Sequence, residues 1–247
     1  MTVLKLEKVC KTFYSKYAET EAVRDLSFTV EKGEFVALLG PSGCGKTTLL
    51  SLISGILPLS GGSISIYSQG ESKVGYMLQH DHLFEWRTIY KNVVLGLEIQ
   101  KKMTEENLAR AVSLLKKYGL GDFIDRYPNQ LSGGMRQRVA LIRTLALDPE
   151  ILLLDEPFSA LDFQTRLKVC DDVYSIIKSE KKTTLLVTHD ISEAISLSDR
   201  ILVLSPRPAQ IAHQHTMDMS HILSPLKRRE HSGFAAHFDR IWQELNK

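Results

Sequence analysis

Four short segments are apolar throughout or nearly so: residues 35–39 (FVALL), 151–154 (ILLL), 184–187 (TLLV) and 201–204 (ILVL). A strand with water on one face alternates apolar and polar positions, so unbroken apolar runs predict strands covered on both faces, as in a parallel sheet between helices. Residues 25–30 (DLSFTV) and 62–67 (GSISIY) do alternate, with Gly33 after the first and Gly61-Gly62 before the second, and they predict a flanking antiparallel sheet. Residues 1–5 (MTVLK) alternate in the same way. From about 88 to 148 the period becomes helical. Leu108, Ala111, Val112 and Leu115 recur at i, i+3, i+4 and i+7 behind Thr104 as N-cap, and Gly119 ends the helix. The expected fold is therefore α/β, with a mostly parallel core sheet, a flanking antiparallel β subdomain and an inserted helical subdomain at about 88–148. All of it is read as one domain over 1–247, whose tail at about 206–247, rich in His, Pro and Met, has no clear period.

Composition narrows the partners. Hydrophobic residues at 43% and charged residues at 24% are ordinary for a globular protein and exclude wholesale disorder or a fibre. The balance of 31 basic against 29 acidic residues, net +2, lacks the concentrated positive field of a nucleic-acid binder, so no nucleic-acid partner is expected. The apolar runs are far shorter than the roughly 18 residues of a membrane helix, which limits any membrane role to a peripheral one. No basic stretch leads into an apolar one at the N-terminus, so the chain is expected to stay in the cytoplasm. Cys10, Cys44 and Cys170 show no metal-finger spacing and are read as reduced thiols.

The chemistry starts at Gly40-Pro41-Ser42-Gly43-Cys44-Gly45-Lys46-Thr47, which fits GxxxxGK[ST] directly after a buried strand and before the helical residues 48–53 (TLLSLI). The glycines let successive backbone N–H groups converge on phosphate oxygens, the helix from Thr48 adds its positive end, and Lys46 brings a point charge to the β and γ phosphates of ATP. Thr47 is placed to hold Mg²⁺ through its hydroxyl. The strand at 151–154 delivers Asp155 and Glu156 to the C-terminal edge of the sheet, where ligands of open parallel sheets bind. Asp155 belongs there to the Mg²⁺ shell, and Glu156 to the attacking water as its base. A third strand ends in Thr188-His189 at the same edge.

Leu131-Ser132-Gly133-Gly134-Met135-Arg136-Gln137-Arg138, lying between the phosphate loop and the acidic strand, resembles the signature of ATP-binding cassette (ABC) proteins. The likeness runs from about residue 4 to 210 and implies a P-loop NTPase core. Ser132, Gly133 and Gly134 form an anion-binding helix start, and the resemblance implies that it covers the γ-phosphate of a second copy in a head-to-tail homodimer. By the same likeness Gln79 senses Mg²⁺ and the attacking water, and His189 contacts the γ-phosphate. The loop Ser159-Ala160-Leu161-Asp162 crosses the interface. Phe13, with Tyr14 and Tyr17 as alternatives, stacks on adenine.

Glu156-Pro157-Phe158 is similar to the importer branch of the family. Residues 83–93 (LFEWRTIYKNV), Leu204-Ser205-Pro206-Arg207-Pro208 and residues 234–245 (FAAHFDRIWQEL) resemble the nitrate, sulfonate and taurine importers, a group that includes thiamine-precursor transporters. The implied protein is an ATP-hydrolysing subunit on the cytoplasmic face of the membrane. Its partners are integral permease subunits and, through them, an extracytoplasmic solute-binding protein. A soluble ATPase acting on nucleic acid or the ribosome is the alternative. Residues 83–93 fall where a permease helix docks; Leu83, Phe84 and Trp86 read either as that surface or as core, and Glu85 stands where the group commonly has proline. His80, His82, His213, His215, His221, His231 and His237 read as solvated, as does Lys227-Arg228-Arg229 rather than as a contact for anionic lipid. A thiol reagent is expected to inhibit through Cys44, with prior MgATP protecting.

Overall fold

The computed structural model describes residues 1–68 and 73–246; Lys247, the end of the tail, lies outside them. The chain opens with two 13-residue strands, β1 (Thr2–Tyr14) and β2 (Glu19–Glu31), paired antiparallel. β3 (Phe35–Leu39) leads into α1 (Lys46–Ile53), and β4 (Gly61–Ile66) returns to the other side of β1, so the flanking sheet runs β2-β1-β4. β5 (Val74–Met77), β6 (Ile151–Asp155), β7 (Thr183–Thr188) and β8 (Arg200–Leu204) join β3 in parallel, and β9 (Ile211–Thr216) closes the row antiparallel. The order is β5-β6-β7-β3-β8-β9.

The all-apolar runs belong to this sheet because both of its faces are covered. Ile151, Leu153, Leu185, Val187, Val36 and Leu38 pack with α1 and the antiparallel sheet, while Leu152, Leu154 and Leu186 pack on the opposite face. On that second face lie α2 (Ile89–Val93), α3 (Leu95–Ile99), α4 (Glu105–Lys117) and α5 (Gly133–Leu145). Thr104 caps α4 by accepting from Asn107 N, and Gly119 turns away at φ +74°. Val139, Leu141 and Ile142 of α5 share one apolar cluster with Met77 and Leu152, so the helical segment has no core separate from that of the sheet.

Leu83 is buried whereas Trp86 is 76% exposed, its ring tilted against Phe84 at 4.8 Å, so the two readings of this segment divide between residues. Asn92, fully buried, fixes the loop between them by accepting from Phe84 N at 2.7 Å and donating to the carbonyls of Phe84, Arg87 and Thr88. Glu85 pairs with Arg136 Nη1 at 2.9 Å, which gives this glutamate a partner that a proline would lack.

α6 (Phe163–Ser179) and α7 (Ile191–Leu197) complete the core, and the tail folds back as β9, α8 (Pro225–Glu230) and α9 (Gly233–Leu245). Two expectations for the tail fail. Arg228 is fully buried, not solvated, because one turn of α8 directs it inward while Lys227 stays exposed. His215, 5% exposed, sits 2.6 Å from Glu244 Oε2, because β9 turns it under α9. No helix among the described residues is long and apolar enough to cross a membrane.

Candidate active site

Five neighbouring strands end at one edge, and each contributes a group. β3 runs into the loop at Gly40, and β5 leads to Gln79 two residues on. β6 ends at Asp155 and Glu156, β7 at Thr188 and His189, and the turn after β8 carries Arg207. A cavity of about 350 Å³ at this edge is lined by Ser42, Gly43, Gly45 and Lys46, by Thr47 and Thr48, and by Gln79, Glu156 and Arg207. Gly45 stands at φ +123°, and a Cβ there would lie 2.7 Å from the carbonyl oxygen of Ala22, so only glycine lets the loop close onto β2.

Lys46 is 5% exposed and donates to the carbonyls of Gly40 and Pro41 at 2.8 and 2.9 Å. These are weak substitutes for phosphate oxygens and can be given up to them. Thr47 Oγ1 donates to Asp155 Oδ1 at 3.2 Å, and Tyr76 OH donates to Oδ2 at 3.2 Å. Burial pushes the Asp155 carboxyl up and the Tyr76 phenol to about 12. A hydroxyl beside a nearly buried carboxylate fits Mg²⁺, a hard cation that takes one or two protein oxygens and completes its shell with water and substrate phosphates. Bound with ATP, the ion would neutralise charge on the phosphates; Thr47 and Asp155 would hold it, with Gln79 beside them.

Glu156 adopts φ +43°, a conformation that costs a residue with a Cβ roughly 1–3 kcal/mol and marks a sharp turn at the end of β6. Its N–H donates to Val187 O at 2.9 Å, and His189 Nδ1 lies 3.0 Å from its Oε2. The carboxylate is thereby fixed at the cavity wall by the neighbouring strand, while Gln79 Nε2 reaches Ser159 Oγ at 3.4 Å. Gly40, Pro41 and His189 line a second cavity of about 490 Å³, shared with Phe238 and Trp242 of α9.

The remaining candidates stand apart from the phosphate cavity. Ser132 caps α5 by accepting from Met135 N, and both it and Gly133 are exposed. Gly134 is buried, and a Cβ on it would come within 2.7 Å of Val169 Cγ2, so it also lets α5 approach α6 closely. Asp162 caps α6 through Thr165 N at 3.1 Å. Phe13, 40% exposed, has the Lys11 ammonium 5.0 Å from its ring centroid, and Tyr14 and Tyr17 are more exposed still. Arg207 was not anticipated as a site residue. Nothing in its spacing from the loop signals it; only the topology that puts β8 beside β3 does.

Cys44 overturns the expected thiol chemistry. Its side chain points under the loop, is 1% exposed, and burial pushes the thiol up, which suppresses the reactive thiolate. Of the three free thiols, Cys10 is expected to react first with an aromatic disulfide in the native protein, and Cys44 only on unfolding. Fast, stoichiometric labelling of Cys44 in the folded chain would contradict its placement.

Behind His189, Glu193 of α7 is 3% exposed and accepts from Thr188 Oγ1 at 2.8 Å; burial, helped by the Asp190 carboxylate, pushes its carboxyl from 4.5 up to about 7, against the opposing pull of the Thr188 hydroxyl, Arg166 and His189. Because the folded value lies above the unfolded one, the stability this group contributes is present below about pH 4.5 and lost as pH rises through 7. Glu193→Gln should remove that component. In chemical denaturation the variant should gain on the parent across this window, and a pH-independent difference would exclude the assignment.

A glycine-rich loop, a hydroxyl donating to a buried carboxylate, and a second carboxylate held beside a histidine, all at the ends of neighbouring parallel strands, make up the arrangement of a P-loop nucleotide site. A sequence model of the ABC transporter family matches residues 23–159. An uncharacterized ABC transporter ATP-binding protein, YtlC of Bacillus subtilis, is 49% identical over all of this chain and 96% of its own length. The taurine import ATP-binding protein TauB of Rhizobium johnstonii is 41% identical over 87% of this chain and 84% of its own. Among solved structures, a dimeric post-hydrolysis state of the ATP-binding cassette MJ0796, bound to ADP and Pi, superimposes with a TM-score of 0.72. It is 32% identical and covers 87% of this chain and 98% of that one. The chain belongs to the ABC transporter family and is an ATPase of its cassette type.

Proposed function

We propose that two copies of this chain form a head-to-tail dimer that hydrolyses MgATP to drive import through separate membrane subunits. The observation that carries this reading is the division of the site within one chain. Lys46, Thr47, Asp155, Glu156, Gln79 and His189 gather at one sheet edge, while Ser132 and Gly133, at an exposed helix start, do not line the phosphate cavity. A second copy brings its Ser132–Gly134 to the loop of the first, and Asp162 ends the loop that crosses between them. Phe13 stacks on adenine. Lys46 moves from its loop carbonyls to the phosphates, and Glu156, held by His189, takes the proton of the attacking water.

The exposed Trp86, on a loop fixed by Asn92, is the docking point for the permease, placing the chain on the cytoplasmic face of the membrane. The taurine-import relatives support a small solute of the nitrate, sulfonate or taurine kind, or a thiamine precursor, delivered by an extracytoplasmic binding protein. The test is uptake into proteoliposomes holding the chain with permease subunits and a solute-binding protein, scored for labelled taurine against nitrate and a thiamine precursor. ATP-dependent accumulation of one of them is the expected result. ATPase activity stimulated by RNA or DNA and indifferent to the membrane subunits would instead identify a soluble ATPase.

A further inference from the structure

Arg207 is the second cation of the phosphate cavity, and the metal and catalytic roles above do not use it. Its Nε and Nη2 donate to the carbonyl of Gly43 at 3.2 and 2.8 Å, from a turn outside the phosphate loop. Among the described residues it makes no ion pair, although the chain has acidic side chains available to most of its arginines. An arginine has five N–H donors in a planar fork, so two bonds to one carbonyl leave three uncommitted at the wall of the cavity. The turn that carries it is built to hold it there. Ser205 Oγ donates to Pro208 O at 2.9 Å and accepts from Gln210 N at 3.0 Å. Ala209, fully buried, exchanges backbone bonds with Ala22 and Arg24 of β2. The carbonyl of Ala22 is also the atom that forbids a Cβ at Gly45. The turn and the phosphate loop are thus packed on the same backbone, and Arg207 has a fixed base.

We propose that Arg207 is a nucleotide-binding residue: its guanidinium leaves, or shares, the Gly43 carbonyl to bond the polyphosphate of ATP and of ADP in the same chain. The chemistry favours this over a purely structural clamp. Lys46 is placed in the same way, a cation on loop carbonyls beside the same cavity. Two such cations facing one opening lined by backbone N–H groups complement a polyanion, and a neutral donor would suffice to hold one carbonyl. Arg207 shares the phosphate cavity with Lys46 and the loop but does not line the small cavity behind Glu156 where His189 and Glu193 lie, and its bonds reach the loop, so its contribution is to binding.

The inference rests on the ATPase reading, and calorimetric titration with MgATP and MgADP separates the two. Arg207→Gln retains a donor for Gly43 O without the charge, whereas Arg207→Lys retains the charge. In Arg207→Gln both nucleotides should bind roughly tenfold or more weakly, as for loss of a charge-assisted bond. KM for MgATP should rise while kcat stays close to that of the parent, the pattern of lost uniform binding. Affinity should depend less on salt than in the parent. Arg207→Lys should recover part of the loss, and the nucleotide-free proteins should melt together. Parent-like binding by Arg207→Gln would reduce Arg207 to a support for the loop and overturn the proposal alone. A parent chain that bound neither nucleotide would remove the ATPase reading as well.

Discussion

Glu156→Gln is expected to lower MgATP turnover about 10²- to 10⁴-fold while nucleotide binding stays near that of the parent. The amide has almost the shape of the carboxylate and can still face His189 Nδ1, but it cannot accept a proton from water. The φ of +43° at this position and the bond from its N–H to Val187 O belong to the backbone and survive the change, so the geometry of the strand end is preserved. With hydrolysis blocked, MgATP should hold two copies together, and the variant should elute as a dimer in its presence. Phosphate release under single-turnover conditions reads the chemical step directly. If that step proceeds at the parent rate, the base lies elsewhere and the dyad of Glu156 and His189 has a structural role only.

Arg228→Ala should have the largest effect on stability, a loss of about 3–5 kcal/mol. All the bonds of this guanidinium go to oxygen: Ile222 O at 2.7 Å, Ser220 O at 3.0 Å, Ser196 O and Ser198 O at 3.2 and 3.1 Å, and Tyr174 OH at 2.6 Å. It also lies 4.9 Å from the centroid of the Tyr174 ring, a cation–π contact. Truncation strands the buried acceptors of Ser196, Ser198 and Tyr174 and leaves a cavity between α6, α7 and α8. The two neighbouring charges are the controls, because Lys227→Ala and Arg229→Ala should each change stability by less than about 0.5 kcal/mol. Urea denaturation of the three variants measures the difference, and equal midpoints would mean that Arg228 is solvated after all.

The core sheet was legible because burial on both faces writes an unbroken apolar run that few other environments tolerate. The phosphate loop and the acidic strand end were legible because their chemistry needs particular residues at fixed spacings along one segment. What escaped notice depends on contacts distant in sequence. β1 spans 13 residues, but its register against β2 shifts repeatedly, which breaks the alternation a simple strand would show. β5 is four residues long and contains Gly75, where a Cβ would lie 2.6 Å from Thr144 Cγ2; packing against α5, not strand propensity, sets that glycine. Arg228 sits in a run of three basic residues, where the charge pattern hides which side of α8 faces inward. Arg207 reaches Gly43 across 164 positions of chain. Cys44 was misread for the opposite reason: membership of the motif suggested access to ligand, whereas the loop turns that side chain into the core.

Arg136 bears on how force passes through the molecule. Its guanidinium holds Asp81 at 2.8 and 3.2 Å and Glu85 at 2.9 Å, and Arg143, two turns further along α5, donates to the carbonyls of His82 and Asp81. One helix thus grips the segment between Gln79 and Trp86, and the same helix begins at Ser132. In the proposed importer, a load applied at Trp86 would pass through these bonds into α5, and so toward both Gln79 and the helix start at Ser132. In that proposed dimer, the two ATP sites would then be coupled by how α5 tilts as a body.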